Sequence, residues 1–174
     1  MQANIEQALM TAATANTPCP LWRRLTALVY DLLAVVAIVM VVGLLCQIAT
    51  HGQLISTGAQ THIDWWYQPV QGLVVAAYFI ASWLRGGQTL GMRPWHIRIT
   101  AHDGGSPRPQ QALLRLVVAA LPLLMLGLAP FVGIRDALWA VTIGWALWLI
   151  PILFDTRRRA VHDLVASTEI RRID

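Results

Sequence analysis

One apolar run constrains the fold more than any other feature of this sequence. It continues without a break from Leu32 to Leu45, and with its apolar flanks it covers residues 25–48. A helix needs about 20 apolar residues to cross a bilayer, so this run is long enough to span one. Hydrophobic residues make up 56% of the 174-residue chain and charged residues only 13%, whereas soluble domains carry about 25% charged residues. The sequence therefore predicts an integral membrane protein.

Three more apolar segments follow the first. They predict membrane spans over residues 69–84, 113–132 and 137–154. Together with the first run they predict an all-α membrane protein with four transmembrane helices. Residues 1–20 are rich in Ala, Thr and Asn and are expected to form a mobile tail, and residues 21–174 are expected to form one membrane domain.

The positions of the arginines predict the orientation. All thirteen basic residues are arginines. Two of them precede the first predicted span, none lies between the first two spans, and five follow the second span, counted through Arg115. One lies between the last two spans and five lie in the tail. Because basic residues accumulate on the cytoplasmic side of a membrane protein, both termini are predicted to be cytoplasmic.

Two polar segments alternate in the manner of β-strands. Trp95, Ile97 and Ile99 alternate with polar residues, and near the C-terminus Thr168 and Ile170 do the same. Each segment alone would leave backbone groups unpaired, so we expect the two to pair. The sequence thus predicts a small two-stranded ribbon on the cytoplasmic face.

Three blocks of the chain resemble the RDD family of small bacterial membrane proteins. They are RRLTALVYD at 23–31, GGQTLGMRPWHIRI at 86–99 and RRRAVHDLVAST at 157–168. The blocks stand in the family's order, and the resemblance covers residues 20–172. It implies a multi-pass protein of the bacterial inner membrane. Transport has been proposed for the family, including cation/proton exchange for some members.

The family takes its name from one arginine and two aspartates. Arg24 and Asp31 match the first two positions, while Asp103 and Asp163 are both candidates for the second aspartate. The chain departs from the family pattern at Met92, where lysine is usual, and at Ser167, where glycine is usual.

Asp31 is the only charged residue of the first apolar run, and it allows two interpretations. A carboxylate within a membrane helix costs several kcal/mol unless it is partnered. Arg24 lies seven residues earlier on the same helix face, so the first interpretation is a structural ion pair with Arg24 or with an arginine of the tail. The second is a proton or cation site, since burial disfavours the charged carboxylate and favours its protonation.

The pair His162–Asp163 is predicted to be structural, with Arg24 or Arg85 as the partner of Asp163. A metal site needs three or four converging ligands, and the neighbours of this pair supply none. We therefore expect neither a metal site nor a cofactor.

The segment GGQTLG has the glycines of a phosphate-binding loop but not its other residues. Met92 and Arg93 stand where that loop requires Lys and Ser or Thr. The segment is instead expected to lie against the lipid headgroups. Guanidinium groups suit lipid phosphate and also fix topology. The predicted anchors are Arg85, Arg93, Arg98, Arg157, Arg158 and Arg159.

The sequence contains no Ser-His-Asp or Cys-His arrangement and no nucleic-acid-binding motif. We expect no enzymatic activity and no nucleic-acid partner. Two function classes remain open. One is a transporter or cation/proton exchanger, expected to be a homo-oligomer because four short helices enclose little volume. The other is a non-catalytic membrane module that docks a protein partner or anionic lipid through its arginine-rich face. The lipid bilayer is a partner in both.

Overall fold

The computed structural model describes residues 19–52, 55–57 and 61–173, and for residues 55–57 and 61–63 it describes the backbone only. Most of the predicted tail thus lies outside the described residues. Of its last two residues, Cys19 is buried, and its backbone N–H donates to the carbonyl oxygen of Ile170 at 3.4 Å. The helices and strands are α1 (Leu21–Ala49), β1 (Ile55–Thr57), β2 (Thr61–Ile63), α2 (Tyr67–Gly86), β3 (Ile97–Ala101), α3 (Pro109–Ala120), a 3-10 helix (Leu121–Leu128), α4 (Ala129–Val132), α5 (Ile134–Leu149), α6 (Pro151–Phe154), α7 (Val161–Val165) and β4 (Thr168–Arg172).

Helix α1 contains the first apolar run and continues beyond it at both ends. It begins directly after Pro20, which is extended with φ −65° and ψ 148°, and has 29 residues. Its buried residues are Arg24, Ala27 and Asp31. Their spacing of three and four places them on one face of the helix. From Leu32 to Cys46 the helix is apolar and at least partly exposed, as expected for a surface that contacts lipid.

Three helical stretches of the described chain are long and apolar enough to cross a membrane: Leu21–Ala49, Pro109–Val132 and Ile134–Phe154. They contain the first, third and fourth predicted spans. Helix α2 occupies the position of the second predicted span and has 20 residues. It is less apolar than the three stretches, since Gln68 and Gln71 lie in its first half.

Pro122 changes the helix geometry within the second stretch. The chain continues from α3 as a 3-10 helix, because proline has no N–H to donate to the carbonyl of Val118. Trp148 of α5 donates its Nε1–H to that carbonyl at 3.1 Å, and Trp145 donates to the carbonyl of Ala119 at 3.0 Å. The two tryptophans therefore satisfy carbonyl groups near the proline and hold α5 against α3.

The predicted ribbon is confirmed. Strands β3 and β4 are antiparallel, and Ile99 lies opposite Ile170. The side chains of Ile97 and Ile99 are 0% and 1% exposed. They face a core between the sheet and the ends of the long helices. This core consists of Cys19, Ala27, Trp83, Met92, Ile97, Ile99, Ala112 and Ile170.

The end of the molecule that carries the β3–β4 sheet and α7 is called the sheet end below. Helix α7 contacts α3 there, and α2 contacts both α1 and α3. Strands β1 and β2 form a second antiparallel pair, in which Ile55 lies opposite Ile63, in the connection between α1 and α2. This second pair was not expected from the sequence.

Candidate functional site

Asp163 is the centre of a buried charged cluster at the sheet end. It is the third residue of α7, and its Oδ2 accepts the backbone N–H of Ala160 at 2.9 Å. This bond satisfies a backbone donor at the start of the helix. The Asp163 side chain is 0% exposed, so its charge needs partners within the protein.

Two arginines from two membrane helices provide that partnership. Arg24 of α1 places Nη1 2.9 Å from Oδ2 of Asp163, and Arg115 of α3 pairs with Oδ1 of the same carboxylate. Arg115 also donates to Oγ1 of Thr168 at 2.9 Å and lies over the ring of Trp83, with Cζ 5.4 Å from the ring centroid. The cluster thereby joins α1, α3, α7 and β4.

The charges around Asp163 determine its protonation state and that of its neighbour. Burial opposes ionisation of Asp163, but Arg115, His162 and Arg24 outweigh burial and hold its pKa at about 2. Burial, with added repulsion from Arg115, lowers the pKa of His162 to about 4. At neutral pH Asp163 is therefore charged and His162 is neutral. Two guanidinium groups facing one carboxylate leave the cluster with a net positive charge.

Asp31 lies in a separate site with neutral partners. Its Oδ1 accepts the hydroxyl of Tyr78 at 3.1 Å and the backbone N–H of Gly91 at 2.9 Å. Its Oδ2 accepts the hydroxyl of Thr89 at 2.5 Å. The side chain of Tyr78 is satisfied in turn, because its oxygen accepts the N–H of Leu90 at 3.1 Å.

The predicted ion pair between Arg24 and Asp31 is wrong, since Arg24 pairs with Asp163. The physical reason is the direction of side chains on a helix. Seven residues separate Arg24 and Asp31 by about 10 Å along the axis, and long side chains lean toward the helix N-terminus. Arg24 therefore extends away from Asp31 and toward α7.

The glycine-rich loop, residues 88–91, folds onto α1, and its expected position at the lipid headgroups stays a prediction. Thr89 is 0% exposed, and Gly91 and Met92 are buried. A Cβ atom on Gly91 would lie 2.3 Å from the carbonyl oxygen of Ala27, so only glycine allows this approach. Met92, where the family usually has lysine, fills part of the core.

The predicted arginine anchors differ in their exposure. Arg85, Arg93, Arg98, Arg157 and Arg158 are exposed. Arg159 is half-buried and binds both carboxylate oxygens of Asp155, at 2.9 Å and 3.0 Å. Arg157 also contacts Nδ1 of His102 at 2.7 Å and lies 3.9 Å from Glu169.

The two candidates for the family's second aspartate differ in exposure and in partners. Asp103 is exposed and accepts the N–H of Gly105 at 3.0 Å within its own turn. Asp163, in contrast, contacts Arg24. Of the two partners predicted for Asp163 the structure places Arg24 there, and Arg85 is exposed elsewhere.

The sequence interpretation missed Arg115, Thr89 and Tyr78. Arg115 had been assigned only to topology, although an arginine inside an apolar helix signals a buried partner. Thr89 had a weaker signal, as the one hydroxyl residue within the glycine-rich loop. Tyr78 gave no signal in the sequence, because a tyrosine in an apolar span is common. Among the residues that the structure describes, no group of three His, Cys, Asp or Glu side chains could hold a metal ion.

Comparison with known families gives one match. The family model for RDD matches residues 18–167. The chain belongs to the RDD family. No curated protein and no solved structure matches it. In this RDD protein, both Arg24 and Asp163 lie within the matched region, and their contact ties its beginning to its end.

Proposed function

We propose that this RDD protein is a four-span protein of the bacterial inner membrane with both termini in the cytoplasm. Helix α2 supports a fourth span, because 20 helical residues extend about 30 Å, the thickness of a hydrocarbon core. Most of the arginines lie in the first turn of α1, from the end of α2 to the first half of α3, and after α6, which supports a cytoplasmic sheet end.

We further propose that the protein exchanges a cation for a proton and that Asp31 binds both. One observation carries this proposal: Asp31 is a buried carboxylate in a membrane helix and has only neutral partners among the described residues. A carboxylate kept only for structure inside a membrane is usually paired with a cation. Asp31 lacks such a partner, so a bound proton or cation can neutralise it.

The neighbours of Asp31 suit this exchange. The hydroxyl groups of Tyr78 and Thr89 donate to the carboxylate now, and each hydroxyl can rotate and offer a lone pair of its oxygen instead. Together with the carboxylate they give oxygen ligands, which hard cations prefer. The site would hold a proton on Asp31 in one state and a cation in the other, and with a monovalent cation it would be neutral in both. The proposal includes a homo-oligomer, because four helices enclose little volume. It includes no enzymatic activity.

Flux into proteoliposomes tests the proposal. The wild-type protein is reconstituted with a pH gradient and assayed with a panel of monovalent and divalent cations. We expect cation-dependent proton movement in the wild type and loss of it in Asp31→Asn. Asp103→Asn is the matched control, because Asp103 is exposed at the sheet end. Equal flux in the wild type and Asp31→Asn would reject the role of Asp31.

A second candidate function is supported by the exposed arginines. Arg85, Arg93, Arg98 and Arg158 form no ion pair with any residue in the described part of the chain. Such a surface suits docking of an anionic lipid or an acidic protein partner. In that case the protein would be a non-catalytic module, and the wild type would show no flux with any cation.

A further inference from the structure

Helix α2 carries an apolar groove on one face. The groove has a volume of about 500 Å³ and ends at Arg85. Its other lining residues are Leu73, Ala76, Ala77, Ile80, Ala81 and Leu84. They recur at helical spacing, so they form one stripe, and the alanines leave space between the larger side chains. From Leu73 to Arg85 the stripe extends about 18 Å along the helix.

A polar cavity begins at the next residue along the chain. It has a volume of about 260 Å³ and is lined by Gly86, Arg98, Ile99, Thr100, Gly104, Gly105 and Ser106. Arg98 is exposed. Thr100 is 2% exposed, and its Oγ1 has no hydrogen-bond partner among the residues that the structure describes. Buried hydroxyl groups normally have a partner, so Thr100 is able to hydrogen-bond a polar group in the cavity.

The two features meet at neighbouring residues, since Arg85 ends the groove and Gly86 lines the cavity. Together they give one candidate site with an apolar part along α2 and a polar part that contains a second arginine. We propose that this site binds one anionic phospholipid, with an acyl chain in the groove, the phosphate at Arg85 and the polar headgroup in the cavity beside Arg98. The placement rests on the cytoplasmic orientation proposed above but not on ion exchange at Asp31.

Charge favours a lipid over a second copy of the chain in this groove. Two copies in one membrane have the same orientation, so a symmetric contact along α2 would place Arg85 beside Arg85 of the second copy. Like charges at that distance repel. A phosphodiester instead offers a negative charge and two oxygens, which match the fork of a guanidinium group.

Native mass spectrometry of the full chain tests the site. Detergent-solubilised protein is titrated with phosphatidylglycerol and, separately, with phosphatidylcholine. We expect the wild type to retain phosphatidylglycerol about tenfold more strongly, an effect of the size expected for one hydrogen bond to a charged group. The double variant Arg85→Gln/Arg98→Gln should lose this preference. Arg158→Gln removes an exposed arginine outside the site and should keep it.

Two further measurements test the apolar groove and the phosphate position separately. Ala77→Phe fills the groove and should weaken retention of both lipids. Glycerol phosphate, which has the phosphate but no acyl chain, should not displace bound phosphatidylglycerol at millimolar concentration. Equal retention of the two lipids by the wild type would overturn the proposal. So would an equal loss in Arg158→Gln, or displacement by glycerol phosphate. Asp31→Asn should bind lipid normally, so loss of flux and loss of lipid binding are distinguishable.

Discussion

Nη1 of Arg24 lies 2.9 Å from Oδ2 of Asp163, although 139 residues separate them in sequence. This contact fixes the start of the first membrane helix to the short helix that follows the last one. Arg115 binds the other oxygen of the same carboxylate. The packing of the sheet end therefore depends on one aspartate.

Asp163→Asn should strongly destabilise the protein. Removing the acid of a buried ion pair typically costs about 3–5 kcal/mol, because the remaining charge is left without compensation. Here two guanidinium groups would lose their partner. Thermal unfolding in detergent measures the effect. Asp103→Asn is the control and should change the free energy of unfolding by less than about 0.5 kcal/mol, because its carboxylate is exposed. Similar melting temperatures for the two variants would contradict the role of Asp163.

Gly91→Ala should disrupt the contact between the glycine-rich loop and α1. The added Cβ would lie 2.3 Å from the Ala27 carbonyl oxygen and 2.7 Å from the backbone N of Asp31. Both are backbone atoms and cannot move aside cheaply, so we expect a loss of more than about 2 kcal/mol. Gly86→Ala is the control. A Cβ there has no neighbour within 4 Å, so this substitution should not lower stability.

Ser167→Gly should stabilise the protein. Ser167 has φ 51°, in the left-handed region, where an L-residue other than glycine costs about 1–2 kcal/mol. Glycine removes this strain but adds entropy to the unfolded chain, which leaves a gain of about 0.5–1 kcal/mol. Chemical denaturation would detect it. Ser106→Gly, at an exposed position without positive φ, should gain nothing.

His162 should make stability depend on pH. Its pKa is about 4 in the folded protein against 6.5 when unperturbed, because burial disfavours the charged ring. Between these values the unfolded chain binds more protons than the folded one, so stability falls as pH falls from 6.5 to 4. The contribution of Asp163 persists in this window, since it declines only below 3.8, toward its pKa of about 2. His162→Gln should flatten the slope of melting temperature against pH, whereas His96→Gln, at an exposed position, should not.

The sequence was most informative where a pattern is local. Hydropathy located the long helices, and alternation around Ile97 and around Ile170 located the two strands of the ribbon. The charged cluster could not be derived in the same way, because Arg24, Arg115 and Asp163 come from three distant parts of the chain. The ion pair predicted within α1 was wrong because two side chains on the same helix face do not meet when they are two turns apart. Thr89 is buried because Gly91 lets the loop backbone approach α1 closely. No periodic pattern in the sequence predicts such an approach.

The central claim is that Asp31 serves exchange while Asp163 holds the fold. The most direct measurement compares melting temperature and proton flux in Asp31→Asn and Asp163→Asn, each prepared in parallel with the wild type. Asparagine at position 31 keeps an acceptor for the hydroxyl and amide donors, so its cost should be below about 1.5 kcal/mol, the scale of one net hydrogen bond. We predict a stable Asp31→Asn protein without flux, and an Asp163→Asn protein of much lower melting temperature. An Asp31→Asn protein that is strongly destabilised yet retains flux would contradict the account.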